Sequence, residues 1–219
     1  NLVVIIDNNG LQIDGDVAKV MSPYPIVDKL EAFGFFVQTI DGHDFTQIEE
    51  ALEKEEFLVY YQPKVTLKNY RLVGAEALCR WKHDGEMIMP FRFIPVLEQS
   101  NMICDLDFYI LEHVCRDISR WIKAGMPVVR VSVNLSRVHL GDVDLLQHVL
   151  EIVDQYEVPH EYIELELTET TTDVDFRELK HIVTGLRMQG FSVAVDDFGV
   201  GYSSLNLIRE MPWKVLKID

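Results

Sequence analysis

The chain has 219 residues, of which 48% are hydrophobic and 26% are charged, the balance of an ordinary globular protein. Its formal net charge of −16 argues against broad binding to DNA or RNA polymers, because that activity needs a basic face. The longest apolar runs are of strand length, so the sequence predicts no membrane segment. The three cysteines form no CxxC pair, and we expect reduced thiols in a cytoplasmic protein.

Strands and helices alternate from the beginning of the chain. The first half is predicted to contain, in chain order, a strand over Leu2–Ile6, a helix over Pro25–Phe33, a strand over Phe35–Ile40, an acidic helix over Phe45–Glu56, strands over Leu58–Gln62 and Leu72–Arg80, and helices over Phe91–Ser100 and Leu106–Ala124. A polar turn around Lys68–Asn69 joins the last two strands.

The second half is more regular. Its predicted strands are Val128–Asn134, Tyr162–Leu167, Ser192–Asp196 and Val215–Ile218, and its predicted helices are Leu145–Tyr156, Phe176–Gln189 and Ser204–Arg209. This alternation is typical of parallel βαβ units. The number and spacing of the strands favour a TIM-type (β/α) barrel over a small doubly wound sheet, although periodicity alone does not decide between them.

Polar side chains end the regular strands on one face. Because successive strand residues point to opposite faces, each strand has an apolar face and a second face that ends in a polar or charged residue. The residues on the second face are Glu76, Asn134, Glu166, Asp196 and Lys217. In a barrel this face points inward, and we expect these side chains to meet at the C-terminal mouth, where barrel enzymes place their chemistry.

Converging carboxylates predict a bound cation. Burying carboxylates without a partner is costly, and a divalent metal supplies the missing positive charge. The candidate ligands, which offer only oxygen, are Glu76, Asn134, Glu166, Asp196 and Asp197. Such a set suits Mg²⁺, Mn²⁺ or Ca²⁺ rather than zinc. The adjacent Asp196 and Asp197 could share two ions, an arrangement that hydrolyses phosphodiesters.

A structural salt-bridge network is the alternative explanation of the inward carboxylates. Arg80, Arg130 and Lys217 could neutralise them without any metal. Both interpretations remain open at this point.

Six sequence motifs follow one another in the same region. They are Tyr60-Tyr61-Gln62-Pro63, Glu76-Ala77-Leu78-Cys79-Arg80-Trp81, Asn134-Leu135-Ser136, Glu166-Leu167-Thr168-Glu169, Asp196-Asp197-Phe198-Gly199 and Lys217-Ile218-Asp219. In order, spacing and strand placement, residues 57–219 resemble the EAL family of cyclic-di-GMP phosphodiesterases.

The resemblance implies a metal site with two ions, Mg²⁺ or Mn²⁺. Glu76, Asn134, Glu166 and Asp196 would hold the first ion, and Asp196 together with Asp197 would hold the second. The implied activity is hydrolysis of cyclic-di-GMP to linear diguanylate by a two-metal mechanism.

The resemblance also implies roles around the metals. Lys217 would contact the attacking water, and Gln62 would lie beside the metals and the scissile phosphate. Leu78 and Arg80 would contact the dinucleotide, the arginine through a phosphate oxygen. Glu169 would hold the loop that begins at Asp197, which in the family couples the site to a homodimer interface.

The family continues past the Lys217-Ile218-Asp219 motif through two further barrel strands. We therefore expect a barrel that is incomplete at its C-terminus. This leaves open a second possibility, a module that binds cyclic-di-GMP without cutting it.

The first fifty residues follow a different pattern. Residues 3–15 read VVIIDNNGLQIDG and residues 40–45 read IDGHDF, which resembles part of the thiamine-diphosphate-binding domain of transketolase. The resemblance implies that Asn9 and the Leu11 carbonyl bind the Mg²⁺ of the diphosphate and that His43 lies near it. The upstream Gly-Asp-Gly half of that site is missing. We expect a short α/β fragment over residues 1–52 and an EAL domain over residues 53–219, with a transketolase fragment as a third functional possibility.

Overall fold

The structure is a computed structural model that describes residues 11–12, 15–16, 29, 50–142, 144–168, 176–196 and 212–217. The chain divides into two compact units, Asn1–Gly42 and His43–Asp219. In the first unit, strand β1 (Leu11–Gln12) pairs antiparallel with strand β2 (Gly15–Asp16), and residue 29 is helical. The predicted strands Leu2–Ile6 and Phe35–Ile40 and the predicted helix Ser204–Arg209 lie outside the described residues.

The second unit is built on a sheet of seven described strands. They are β3 (Phe57–Val65), β4 (Leu72–His83), β5 (Glu86–Ile88), β6 (Arg130–Leu135), β7 (Ile163–Thr168), β8 (Ser192–Asp196) and β9 (Val215–Leu216). β3 and β4 form an antiparallel hairpin, and β4, β6, β7, β8 and β9 are parallel. Apart from β5, each of these described strands was predicted, with ends that differ by a few residues.

Helices connect the parallel strands. They are α1 (Pro90–Ser100), α2 (Ile103–Lys123), α3 (Leu145–Gln155) and α4 (Phe176–Met188). A proline opens α1, where its missing N–H costs nothing, and Asn101 ends the helix in the left-handed region with φ 62°. No helix in the described part of the chain is long and apolar enough to cross a membrane.

The strand order selects the barrel topology. Neighbours in the sheet run β3-β4-β6-β7-β8-β9, so each parallel strand lies beside the one that precedes it in the chain. A doubly wound sheet would reverse this order at a switch point, whereas a (β/α) barrel winds in one direction. The order therefore confirms the predicted fold class.

The two faces of the sheet have opposite character. Val133, Leu165 and Val193 are fully buried in the hydrophobic core with the helices. The intervening residues face the other way, and the register pairs Asn134 with Glu166 and Thr168 with Asp196. This register sets Asn134 level with Glu166, and Asp196 lies two residues further along the same face, so the polar side chains lie near the same end of the sheet.

β5 is an element that the sequence prediction did not contain. It follows a tight turn in which Asp84 and Gly85 both have positive φ, 48° and 84°. Asp-Gly pairs favour this turn because its geometry matches the twist of antiparallel strands. The turn lets Ile88 pair with Trp81 and become buried, so β4 extends to His83 rather than ending at Arg80.

Candidate active site

Three carboxylates meet inside the sheet of the second unit. Glu76 lies on β4, Glu166 on β7 and Asp196 at the end of β8, and each offers an oxygen within 4.8 Å of the others. Glu166 is completely buried, whereas the other two are partly exposed. The parallel strands bring these residues together across 120 residues of sequence, as the alternation pattern predicts.

Lys217 contacts all three carboxylates. Its Nζ lies 3.1 Å from Glu76 Oε2, 2.7 Å from Glu166 Oε2 and 2.5 Å from Asp196 Oδ2. The backbone N–H of Lys217 donates to Val195 O at 3.0 Å, which continues the β9 ladder and aims the side chain inward.

The electrostatics of the cluster favour a cation. Burial acts to lower the pKa of Lys217, but hydrogen bonds from its ammonium to Asp196 and Glu166 and the nearby carboxylate charges outweigh it and raise that pKa. Lys217 and Lys64, which contacts Glu166 from the other side and also Glu164, together balance only part of the negative charge of Glu76, Glu164, Glu166 and Asp196. The oxygen donors and the position of the Lys217 ammonium fit a divalent cation held by Glu76, Glu166 and Asp196.

The predicted salt-bridge network is therefore partly present. Lys217 makes the ion pairs that this alternative requires. The two arginines make other contacts: the Arg80 Nη1 donates to Cys79 O at 2.7 Å, and the Arg130 Nη1 lies 3.8 Å from Glu164 Oε2. Both interpretations of the carboxylates thus include the ion pairs of Lys217. They differ in whether a divalent metal can take the place of the Lys217 ammonium.

Asn134 and Gln62 lie beside Glu76. The Asn134 Nδ2 is 3.5 Å from Glu76 Oε1, at the limit of a hydrogen bond. Gln62 is the antiparallel partner of Glu76 in the hairpin and is exposed. The structure therefore brings both predicted residues to the acidic cluster.

A cavity of about 460 Å³ opens beside the cluster. Gln62, Lys64 and Glu76 line one side, and Val215 and Lys217 line the other. The lining also includes Ser132 and Glu164 of β6 and β7. Of the three clustered carboxylates, Glu76 is the one that lines the cavity.

Leu78 and Arg80 lie further along β4 on the same face as Glu76. Both are half-buried, and Leu78 pairs with Tyr60 across the hairpin. The Tyr60 side chain is 51% exposed, and the Arg80 guanidinium carbon lies 6.0 Å from its ring centroid. This arrangement presents an arginine and an aromatic ring to solvent at the same end of the sheet as the carboxylates.

A second polar layer, which the sequence analysis missed, lies below the cluster. Lys64 Nζ is 2.7 Å from Glu166 Oε1 and 3.3 Å from Glu164 Oε1, and it also contacts the Ser132 hydroxyl. The Glu164 carboxylate accepts hydrogen bonds from Ser132 Oγ at 2.7 Å and Ser192 Oγ at 2.8 Å. The alternation of strand residues could have predicted the position of Lys64, since Lys64 lies on the same face of β3 as Gln62.

Glu164 remains ionised inside this layer. Burial pushes its pKa upward, but hydrogen bonds from Ser132 and Ser192 and the charge of Lys64 bring that pKa below its ordinary value. The Glu164 carboxylate is therefore paired with the Lys64 ammonium, and each of its oxygens accepts a hydrogen bond from a serine hydroxyl.

The end of β6 is anchored from α2. The Ser136 N–H donates to Asp107 Oδ2 at 2.7 Å, two residues after Asn134. Burial raises the pKa of Asp107, whereas hydrogen bonds from His139 and Ser136 oppose that rise. This hydrogen bond holds the turn after Asn134 in place. It could not be predicted from the sequence, because α2 and β6 meet only in the folded chain.

Four residues assigned from resemblance lie outside the described residues. They are Asp197, Glu169, Asn9 and His43.

Comparisons with known proteins identify the family. The chain matches the EAL domain over residues 46–219. It is 33% identical over 178 residues to the bifunctional diguanylate cyclase/cyclic di-GMP phosphodiesterase MucR of Pseudomonas aeruginosa, covering 81% of this chain and 26% of that protein. It is 34% identical over 174 residues to the probable cyclic di-GMP phosphodiesterase PdeB of Escherichia coli, covering 79% of this chain and 33% of that protein.

A solved structure agrees with this match. The structure described as a PaMucR phosphodiesterase in complex with c-di-GMP superposes with a TM-score of 0.74 at 32% identity, covering 80% of this chain and 71% of that one. The chain belongs to the EAL domain family, and its fold is the TIM-like α/β barrel of that family. It spans about a quarter of the length of the first curated relatives, 23–26%.

The comparisons give no support to the transketolase resemblance of residues 1–52. The family match covers residues 46–219. The predicted boundary at residue 52/53 stays a prediction.

Proposed function

We propose that the second unit is a cyclic-di-GMP phosphodiesterase that hydrolyses its substrate to linear diguanylate. The observation that carries the proposal is the convergence of Glu76, Glu166 and Asp196 within 4.8 Å beside an open cavity. The family membership and the descriptions of the relatives MucR and PdeB support the choice of substrate.

The cofactor is proposed to be Mg²⁺ or Mn²⁺, held by Glu76, Glu166 and Asp196 with Asn134 beside them. A divalent cation there would neutralise phosphate charge and lower the pKa of a bound water. A second ion shared by Asp196 and Asp197 completes the proposed two-metal site, and metal counting in the dialysed protein tests the number of ions.

The residues of the chain would act by positioning and charge. Gln62 faces the cavity and can donate its amide to a phosphate oxygen beside Glu76. Lys217, once a divalent cation takes its carboxylate partners, has an ammonium free to donate to the attacking water or the phosphate. Arg80 and Leu78 are the proposed contacts of the dinucleotide, with Glu169 as the support of the loop that begins at Asp197.

Substitution of Glu76 tests the catalytic proposal. Glu76→Gln keeps the size of the side chain and removes one anionic ligand, so we expect turnover of cyclic-di-GMP with Mn²⁺ to fall by about 100-fold or more. Chromatographic detection of linear diguanylate measures this. Glu86→Gln on β5, an exposed position away from the cluster, is the matched control. Unchanged turnover in Glu76→Gln would refute the metal-site account in favour of the salt-bridge network.

A non-catalytic binding module is the second candidate. The contact of Lys217 with all three carboxylates favours it, because a lysine that cannot be displaced would exclude the cation. Calorimetric binding of cyclic-di-GMP without any linear product, in the presence of Mn²⁺, would select this candidate.

Three further proposals accompany the main one. A homodimer is expected from the family resemblance, and light scattering of the purified protein tests it. A cytoplasmic location is tested by cell fractionation. Thiamine diphosphate binding by residues 1–52 stays a prediction, which a calorimetric titration with thiamine diphosphate and Mg²⁺ would decide.

A further inference from the structure

The two oxygens of Glu166 have different partners. Oε2 faces the acidic cluster and contacts Lys217 at 2.7 Å. Oε1 faces the second polar layer and contacts Lys64 at 2.7 Å. Because the Glu166 side chain is fully buried, bulk solvent does not reach either oxygen, and the two lysines fix the orientation of the carboxylate.

Lys64 is itself held in place. Its Nζ contacts the Ser132 hydroxyl and lies 3.3 Å from Glu164 Oε1, whose carboxylate is fixed by Ser132 and Ser192. The lysine reaches these strands from β3 by crossing Gly74, its register partner on β4. A Cβ at Gly74 would already be 3.8 Å from Lys64 Cδ, so a longer side chain there would block the crossing.

We propose that Lys64 positions Glu166 so that only Oε2 is offered to the cation, and that this makes the site favour Mg²⁺ or Mn²⁺ over Ca²⁺. The inference rests on the proposed function and adds to it a residue that determines metal selectivity. It concerns a side chain two residues beyond Gln62 on β3 that acts through Glu166 rather than on the substrate.

The physical reason is the difference in coordination between these ions. Mg²⁺ requires near-octahedral geometry, in which each carboxylate gives one oxygen, whereas Ca²⁺ accepts six to eight ligands and often takes both oxygens of a carboxylate. An Oε1 tied to Lys64 cannot serve as that second oxygen. Without the Lys64 ammonium, Glu166 could turn both oxygens to the cation and gain a ligand that suits Ca²⁺ better than Mg²⁺.

Calorimetric titration of the metal-free protein with MgCl₂, MnCl₂ and CaCl₂ tests the proposal. In Lys64→Met we expect the affinity for Ca²⁺ relative to Mg²⁺ to rise by about tenfold. Loss of one positive charge strengthens binding of every divalent ion, so the ratio of dissociation constants is the informative quantity. Lys68→Met in the exposed hairpin turn is the matched control, in which the ratio should not change.

A second variant separates selectivity from folding and charge. Lys64→Met combined with Glu164→Gln has the net charge of the natural protein. The amide oxygen introduced by the second substitution can still accept a hydrogen bond from one of Ser132 and Ser192, and its NH₂ group can donate to the hydroxyl oxygen of the other. The same rise in the Ca²⁺ to Mg²⁺ affinity ratio is expected here. Far-UV circular dichroism shows whether each variant is folded.

The outcomes are distinct. An unchanged ratio in the folded variants, with normal metal binding by the natural protein, would overturn the role of Lys64 and leave the proposed function standing. Failure of the natural protein to bind any divalent cation would overturn both. Failure of both variants to fold would assign Lys64 to stability and would also overturn the selectivity role.

Discussion

Lys217 carries the positive charge closest to the acidic cluster among the described residues. Its Nζ lies within 3.1 Å of an oxygen on each of Glu76, Glu166 and Asp196. In the metal-free protein it acts as the internal counterion, and a divalent cation bound to the same oxygens has to displace it. As a counterion, Lys217 would stabilise the metal-free protein. As a competitor, it would oppose binding of the metal.

We therefore expect Lys217→Met to lose stability without metal and to recover it with metal. Removing one partner of a partly buried ion pair leaves uncompensated carboxylates, which costs about 2 kcal/mol of unfolding free energy. Because the pKa of Lys217 is raised in the folded protein, this contribution is present below its ordinary value of 10.5 and is lost only as the pH rises through the raised value. Urea denaturation with EDTA or with excess Mn²⁺ measures both states.

The exposed Lys214→Met is the control for Lys217→Met, since its backbone N–H, not its side chain, makes the contact with Val193. If Mn²⁺ gives no recovery in Lys217→Met, the lysine belongs to a structural network and the metal account of the cluster fails.

The cysteine thiols give a prediction about pH. Burial raises the pKa of Cys79 and Cys115 to about 12 and of Cys104 to about 11. Alkylation by iodoacetamide requires the thiolate, so the labelling rate of the native protein should continue to rise up to about pH 11. In urea the rate should be half-maximal near the ordinary thiol value of 9.0 and level off above about pH 10. A native profile that levels off at the same pH would show that the thiols are exposed.

At the scale of elements, the barrel strands and their helices are held by close approach at two glycines. A Cβ at Gly74 on β4 would lie 3.1 Å from the Arg130 carbonyl oxygen of β6, its parallel partner. A Cβ at Gly185 on α4 would lie 3.0 Å from Leu146 Cδ2 on α3. The distances are alike, but a sheet backbone cannot move independently, whereas the end of a leucine side chain can.

We expect the two alanine substitutions to have different effects on the free energy of unfolding. Gly74→Ala should lower the free energy of unfolding by about 1–3 kcal/mol, because the strands must separate or shift. Gly185→Ala should be nearly neutral, since alanine favours the helix by about 0.5–1 kcal/mol and offsets the contact with Leu146. Chemical denaturation of the matched pair measures the difference, and equal losses would contradict the assigned roles of strand and side chain.

At the scale of the whole molecule, the proposed function brings an anionic ligand to an acidic protein. The chain has a formal net charge of −16, and the cavity beside the cluster is lined by Glu76 and Glu164 together with the basic Lys64, Arg130 and Lys217. A phosphate group that reaches the three clustered carboxylates would meet repulsion unless a cation lies between them. Under the proposed function, a cation in this place would let an acidic protein bind a dinucleotide.

Removal of divalent metal should accordingly abolish binding of cyclic-di-GMP. We expect the affinity to fall by about 100-fold or more after EDTA treatment and to return with Mn²⁺. Calorimetry at constant ionic strength separates this effect from general screening, with NaCl as the control salt. Binding that is equally tight in EDTA would show that the protein recognises the dinucleotide without a cation.

Much of this arrangement could be predicted from local sequence patterns. Alternation within strands assigned Glu76, Glu166 and Asp196 to one face, and the structure brings them within 4.8 Å. The predictions were less accurate where a tight turn decided the element, as at Asp84-Gly85 before β5. They also missed Asp107, because a helix residue reveals its strand partner only through packing.

Local sequence was sufficient for the family, the alternating elements and the face of each strand, because the period of two and the spacing of turns are local properties of the chain. How those faces meet depends on the folded molecule. Strand order and register put Lys217 among the three carboxylates and Lys64 on the opposite oxygen of Glu166. These contacts join β3, β7 and the end of β9, which are far apart in the sequence, so no local period encodes them. They determine the partners of the buried Glu166 carboxylate.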